Sequence, residues 1–411
     1  MRSIPFRSTI GAAALLAAFA CAGPPPGEAG SDGLPAGTTR LTEDLRIGVT
    51  EGADEYLFGN IGYIVEHPDG TIFIADTQVP IIRRYDAQGV FMHTVGGEGE
   101  GPGEYRDIQG MKLTPDGNLA IWDVQIRRIT VFRPDGAWLR DFPGDSGIHT
   151  SALTFQADHE GNLYLYTTIR PGGMRFNPMT REVQQGPPPV HGFHKYTPEG
   201  ELLETIEMPS DESDGPGYVL STPAGFLRNF TTRTLSTISS YGSVVAGNER
   251  AYSFEFRDSG GNVPFAVEHD WEPVPLEPEE RAQWTAWNEY TQRRIAEMNM
   301  EEEYAPIPAT KPAFMELWPG ENGTIWVRRY AAAHQRERPP RPAGDERPPL
   351  TWYQHPTWDV FAGEGEFLGA IELPYDTRPV FMTNEYVWTI QPNEDEEDVA
   401  VRYRIEGLGG S

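Results

Sequence analysis

Phe58-Gly59-Asn60-Ile61, His67-Pro68-Asp69-Gly70, Thr71-Ile72-Phe73-Ile74-Ala75-Asp76 and Tyr85-Asp86-Ala87-Gln88-Gly89-Val90-Phe91 are followed, 47 positions on, by a second version of themselves. The second version reads Tyr105-Arg106-Asp107-Ile108, Thr114-Pro115-Asp116-Gly117, Asn118-Leu119-Ala120-Ile121-Trp122-Asp123 and Phe132-Arg133-Pro134-Asp135-Gly136-Ala137-Trp138. A gapless period between 40 and 50 residues, with two turn glycines in each copy, is the signature of a four-stranded propeller blade. Each Asp-Gly or Gln-Gly pair supplies the positive φ of a tight hairpin, and the flanking Ile, Val, Phe, Trp and Tyr are strand formers. One such blade cannot bury both faces alone, so its neighbours stack around an axis and the sequence repeats.

Working outward, a third copy begins at His149-Thr150-Ser151-Ala152, turns at Glu160-Gly161 and ends with Tyr196–Leu203, its spacing stretched by a Pro/Gly-rich insertion around Arg170–Val190. Ser236–Val274 holds a fourth, and Glu321–Val327 with Trp358–Leu368 a fifth. The last copy, Pro379–Ile405, has strands at Glu385–Thr389 and Val399–Ile405 and stops one strand short. Leu45-Arg46-Ile47-Gly48-Val49 precedes the first copy and has the length to supply that strand. The expected fold is all-β: a six-bladed β-propeller of four-stranded antiparallel blades over residues 40–407, its ring closed by an N-terminal strand.

Gly96-Gly97-Glu98-Gly99-Glu100-Gly101-Pro102-Gly103-Glu104-Tyr105, with Pro115-Asp116-Gly117, Asp123, Arg128-Ile129 and Val131-Phe132, resembles the linker and core of NHL-type repeats, above all in bacterial six-bladed propeller lipoproteins. The resemblance implies that Asp76 and Asp123, which share one repeat position, hold the loop that follows, through Arg128 in blade 2. Blade 1 has Ile81 where blade 2 has Arg128, which leaves that contact open there.

Residues 1–20 read as a signal peptide: Arg2 and Arg7 precede an apolar run from Ile10 to Phe19 that is too short to span a bilayer. Cys21, the sole cysteine, follows directly and marks a lipidation site, with 21–39 as the tether. The expected location is the cell envelope, at the outer membrane or cell surface, with the lipid as the one membrane attachment. One cysteine excludes internal disulfides. A formal net charge of −28 opposes binding to nucleic acid and to anionic lipid, and favours cationic partners. Only three lysines occur, Lys112, Lys195 and Lys311.

Catalytic motifs are missing: there is no Gly-x-Ser-x-Gly, no His-Glu-x-x-His and no phosphate-cradling loop. No cofactor is implied by any motif, and calcium at the channel mouth stays as an option. Calcium would need six to eight oxygens, and no Asp-x-Asp-x-Asp run provides them. Asn393–Asp398 reads as a solvated hairpin loop, and His191 with His194 as an incidental pair on a strand. Because inner strands line the central channel, the residues entering them ring its mouth. Aligning the copies puts Asn60, Asp107 and Ser151 in one column, with Arg106 just before and His149 two positions before, and these five are the ligand-binding candidates. The competing role for this column is to satisfy backbone groups at blade junctions.

Two excursions depart from the repeat. Pro278-Glu279-Glu280 opens a helical insertion at about 277–303, with Trp284, Trp287, Thr291, Ile295 and Met298 at helical spacing. It is expected to pack on a propeller face, with a lid as the alternative. A Pro/Arg-rich loop occupies about 331–350. The leading functional expectation is a monomeric module that binds a protein, peptide or glycan. The alternative is a metal-dependent propeller hydrolase or lyase of the lactonase, arylesterase or amidating-lyase type, with its site at the channel mouth.

Overall fold

The computed structural model describes residues 38–145, 155–171, 174–177, 182–185, 187, 190–209, 220–222, 225–227, 230, 232, 234–297, 306–336, 344–393 and 395–409. Strands make up 48% of the structure and helix 7%. Blade 1 contains Ile61–Glu66, Ile72–Asp76, Ile81–Tyr85 and Phe91–Val95, and blade 2 contains Ile108–Leu113, Leu119–Asp123, Arg128–Phe132 and Trp138–Pro143, each paired in chain order. Blade 3 takes Phe155–Ala157, Leu163–Arg170, Val190–Tyr196 and Leu202–Glu207, and blade 4 takes Thr234–Ile238, Val244–Asn248, Ser253–Arg257 and Phe265–Glu268. Blade 5 is built from Phe314–Pro319, Ile325–Arg329, Thr357–Phe361 and Phe367–Glu372. Blade 6 is built from Arg378–Met382, Tyr386–Pro392, Asp398–Glu406 and the N-terminal strand Thr38–Ile47. The fold is a six-bladed β-propeller.

The repeat glycines do what their chemistry requires. Gly70, Gly117, Gly161 and Gly323 turn the first strand into the second at φ between 77° and 88°, a region costly for residues with a Cβ. Between blades, large side chains fill the wedge. Trp122, Trp326, Trp358 and Trp388 are fully buried, and truncating such a residue costs about 3–5 kcal/mol. Tyr105 plugs the junction of blades 1 and 2: its hydroxyl donates to Val95 O (2.6 Å) and accepts from Ile82 N (3.0 Å).

The closing strand is longer and earlier than Leu45–Val49. It starts at Thr38, inside the stretch expected as tether, and ends before Gly48, whose φ of 133° breaks the pairing. Arg40 to Ile47 pair antiparallel with Glu406 to Ala400, while Thr38 and Thr39 run parallel beside Ala370 and Ile371 of blade 5. The N-terminal strand thus joins blades 5 and 6 edge to edge. Side chains extend the closure to blade 1. Asp44 accepts from Arg402 (2.8 Å), Arg402 donates to Glu66 (2.7 Å), and Glu66 accepts the indole N–H of Trp388 (2.6 Å). Burial pushes the Glu66 carboxyl up, while Trp388 and Arg402 oppose that shift.

First and third strands end on the face of the repeat turns, here called the turn face. Second and fourth strands end on the opposite, strand-entry face, where the inner strands begin. On the turn face the connections are tight, such as 67–71, 114–118, 158–162 and 239–243. The long connections, 171–189, 208–233, 269–313 and 330–356, all leave from the strand-entry face.

Helix α1, Pro278–Glu297, belongs to the third of these. Proline fits its first position, and Glu279 and Glu280 suit the positive end of its dipole. Trp284 packs against Phe230, Leu276, Ile307 and Tyr330, which fastens the helix over blades 4 and 5. Beneath it Lys311 pairs with Glu280 (2.9 Å), both almost fully buried, and donates to Ala331 O (3.0 Å). Gln283 grips the fourth long connection through its amide, donating to Thr351 Oγ1 (2.9 Å) and accepting from Thr351 N (2.8 Å). No helix among the described residues is long and apolar enough to cross a membrane.

Candidate functional site

The second strands of blades 1 and 2 end in Asp76 and Asp123, both buried. Asp76 accepts the amides of Gly59 (2.9 Å), Asn60 (3.2 Å) and Gln78 (3.0 Å). Asp123 accepts those of Arg106, Asp107 (3.1 Å), Gln125 (2.9 Å) and Ile126 (3.1 Å). Each carboxylate ties the chain entering an inner strand to the loop leaving the second strand. Four amides saturate the lone pairs of Asp123, so Arg128 goes elsewhere than the resemblance implied. Its guanidinium donates to the carbonyls of Glu100 (2.8 Å), Gly101 (2.8 Å) and Glu104 (2.6 Å) and so braces the glycine-rich linker. In blade 1 a different cation approaches Asp76: Arg83, at 3.9 Å and over the Phe58 ring at 5.1 Å.

The candidate residues whose amides are held in this way sit where the chain enters the inner strands of blades 1 and 2. Asn60 is exposed and donates to Thr77 Oγ1 (2.6 Å). Arg106 is exposed and pairs with Glu100 (3.1 Å). Asp107 is half-buried and accepts from Gln109 Nε2 (2.7 Å). All three make their contacts to other side chains, whereas the two buried aspartates bond to backbone. His149 and Ser151, like Cys21, lie outside the described residues. Blade 4 varies the same theme with Asn248, which accepts from Arg250 N (3.0 Å) and donates to Thr234 Oγ1 (3.3 Å).

Other mouth residues come from the poorly marked sixth copy and from the interior of an inner strand. Arg378 is exposed and donates to Ile61 O (2.7 Å), while Asp398 accepts from Ile61 N (2.8 Å) and has its carboxyl pushed up by burial. Asp398 belongs to the acidic run expected to be solvated. Its position at the start of a strand, next to blade 1, is what removes it from water. Tyr63 is the remaining one, its hydroxyl pushed well above the ordinary range by burial, with the Asp107 charge adding to the shift. The signal for Tyr63 was present as an alternate residue of an inner strand, but no motif separates axis-facing from core-facing positions.

Below the mouth the axis is lined by Tyr63, Met111, Gln156, Trp318 and Met382, and by an ion pair between Lys112 and Glu321. Blades 2 and 5 face each other across a six-membered ring, so this pair spans the channel near the turn face. Among the described residues no three His, Cys, Asp or Glu side chains gather in a metal-binding arrangement.

A family model described as a 6-bladed beta-propeller matches residues 49–169. No curated protein matches the chain. Among solved structures the chain is similar to a Bacteroides fragilis protein described as exported, at 11% identity over 89% of this chain and 95% of that one, with a TM-score of 0.48. It is also similar to a member of the duf4221 family from Bacteroides vulgatus, at 11% identity over 90% and 99% and a TM-score of 0.49. Virginiamycin B lyase from Staphylococcus aureus covers 89% of this chain and 99% of its own at 10% identity, with a TM-score of 0.39. Likenesses at these values carry no argument about activity. Strand topology and the match over 49–169 identify the architecture: a propeller of six blades, closed by its own N-terminal strand.

Proposed function

We propose that this is an exported, lipid-anchored propeller of the NHL-repeat type that binds a protein, peptide or glycan at the strand-entry mouth. The observation carrying this reading is the one-sided placement of the long connections: 171–189, 208–233, 269–313 and 330–356 all leave the strand-entry face, while the turn face keeps tight hairpins. Loops on a rigid scaffold are where propellers and other repeat folds build recognition surfaces. The mouth offers both charges, with Arg106, Asp107 and Arg378, beside hydrogen-bonding groups on Asn60, Gln109 and Tyr63. The closing strand begins at the turn face, so a lipid on Cys21 directs the elaborated face away from the membrane.

The anchor is tested by expression with the native N-terminus in a Gram-negative host. The protein should partition with membranes and carry the mass of a diacylglycerol group, and Cys21→Ser should abolish both. A soluble native protein with unmodified Cys21 would overturn the anchor. The mouth is tested by screening peptides and neutral oligosaccharides with NMR. Binding should perturb Tyr63 and Gln109 and weaken in Asp107→Ala, whose melting temperature should stay within a few degrees because a solvent-facing side chain contributes little to packing. Ligands that perturb the turn face instead, or an Asp107→Ala variant that binds unchanged, would overturn it.

A further inference from the structure

The hairpin between the second and third strands of blade 5 carries a cluster that no repeat position encodes. Its arms pair His334 with Tyr353 and Gln335 with Trp352, and Arg336 N donates to Thr351 O (2.9 Å). Tyr375 and Asp376, from the connection between blades 5 and 6, meet it from the side. The Arg336 guanidinium lies 4.7 Å from the Tyr375 ring centre and 5.4 Å from that of Tyr353. The His355 ring centre is 3.8 Å from that of Tyr375, and the Tyr375 hydroxyl is 2.6 Å from His334 Nε2. His355 Nδ1 faces Glu372 at 3.3 Å.

Arginine stacked on tyrosine rings presents a planar fork whose direction is already fixed, the arrangement that recognises carboxylates in two-point contact. Here the fork is occupied by the chain itself. Asp376 places Oδ2 at 3.1 Å from both terminal nitrogens and Oδ1 at 3.3 Å. Asp376 is also 61% exposed and sits at φ 59°, a left-handed conformation that few residues with a side chain adopt. An ion pair this exposed is screened by water, so it is a weak internal competitor.

We propose that Arg336, framed by Tyr353 and Tyr375, is the anchor of a binding site for the C-terminal carboxylate of a peptide, and that Asp376 fills the site as a stand-in until the ligand arrives. His334 and the Tyr375 hydroxyl supply hydrogen-bonding groups beside the fork for the last peptide unit. The net charge of −28 favours a ligand with one carboxylate over a uronic-acid polymer, which meets the repulsion at every unit. This site is separate from the axial mouth, and either stands without the other.

The test is calorimetry and NMR on the full chain with N-acetyl-glycyl-glycine and its C-terminal amide. The acid should bind and the amide should not. Asp376→Asn should raise affinity for the acid about fivefold, since it removes a competitor worth up to roughly 1 kcal/mol. Asp376→Gly, which suits the left-handed backbone, should do the same if the asparagine variant disturbs the loop. Arg336→Lys, which keeps the charge and loses the fork, should abolish binding. Equal binding of acid and amide would overturn the proposal. So would Asp376 variants that bind no tighter, or binding confined to oligoglucuronate.

Discussion

Blades 1 and 5 use the same two positions for a charged pair and assign the charges in opposite order. In blade 1 the last residue of the second strand is Asp76, and Arg83, opposite Ile74 on the third strand, approaches it at 3.9 Å. In blade 5 the last residue of the second strand is Arg329, and Asp359, opposite Val327, lies 3.3 Å from it. Both aspartates are buried, and each has a further partner: three backbone amides for Asp76, and for Asp359 the hydroxyl of Tyr252 in neighbouring blade 4, at 2.5 Å. These two blades therefore keep a charged pair at one place with its polarity reversed, while blade 2 has Thr130 at the position of Arg83 and Asp359. The blades also differ in what they carry. Blade 1 passes from second to third strand through 77–80, and blade 5 through 330–356, a hairpin gripped by helix α1. One blade keeps a short connection there, and the other carries a long one packed under a helix.

The comparison is broken most severely by removing what makes both blades possible. Deleting Thr38–Ile47 takes the fourth strand from blade 6, the parallel edge from blade 5 and Asp44 from the Arg402–Glu66 chain. The expected loss is several kcal/mol of a typical total of about 5–15, with a broadened transition in chemical denaturation. A deletion that melts like the parent would show that the ring closes without this strand.

Next in size are the two pairs. Asp359→Ala leaves the buried Tyr252 hydroxyl without its partner and removes the ion pair of the half-exposed Arg329, and should cost about 2–3 kcal/mol. Asp76→Ala strands three amides while Arg83 keeps its place over Phe58, and should cost about 2–3 kcal/mol. Equilibrium denaturation measures both. The sharper version is the double exchange Arg329→Asp with Asp359→Arg, which gives blade 5 the polarity of blade 1. If polarity is free, the exchange should be less damaging than Asp359→Ala alone; an equal or larger loss would show that Tyr252 fixes the sign.

The smallest effect separates the decorated blade from the bare one by pH. His355 has its pKa lowered, first by burial and then by His334 and Arg336, against the pull of Glu372. A histidine with a depressed folded pKa takes up a proton more readily when unfolded. Its contribution is therefore present above about pH 6.5 and lost as pH falls through that value. His355→Gln should flatten the stability profile of the native chain in that window, measured as the difference between the two proteins so that other groups cancel. Parallel profiles would place the titration elsewhere.

The legibility of this protein divides along the same line. Blades 1 and 2 were readable to the residue because hairpin glycines and alternating apolar strands are local devices, recorded in neighbouring positions. The closing strand was legible as a need, since the last copy ended one strand short, but its start at Thr38 was not. Its register is set by Ala370, Val401 and Ile405, which lie more than 300 residues away. Of the expected column, Asn60, Arg106 and Asp107 fall where the chain enters the inner strands of blades 1 and 2, and His149 and Ser151 lie outside the described residues. Arg378 and Asp398 were missed because the sixth copy lacks the turn glycines that set the alignment, and Tyr63 because no motif separates axis-facing from core-facing positions of an inner strand. The role of Arg128 was misread because the linker carbonyls it holds come from residues 24 to 28 positions before it.

The sequence by itself determined the period, the blade, the count of six and the need for closure, because each rests on hairpin chemistry acting over a few residues. Only the tertiary structure decided which side chains meet. Lys112 and Glu321 are 209 positions apart and pair because blades 2 and 5 oppose each other across the ring. Arg336 finds Asp376, and Lys311 finds Glu280, because long connections fold back over one face. Such pairings depend on the geometry of the closed ring, where distance along the chain says nothing about distance in space.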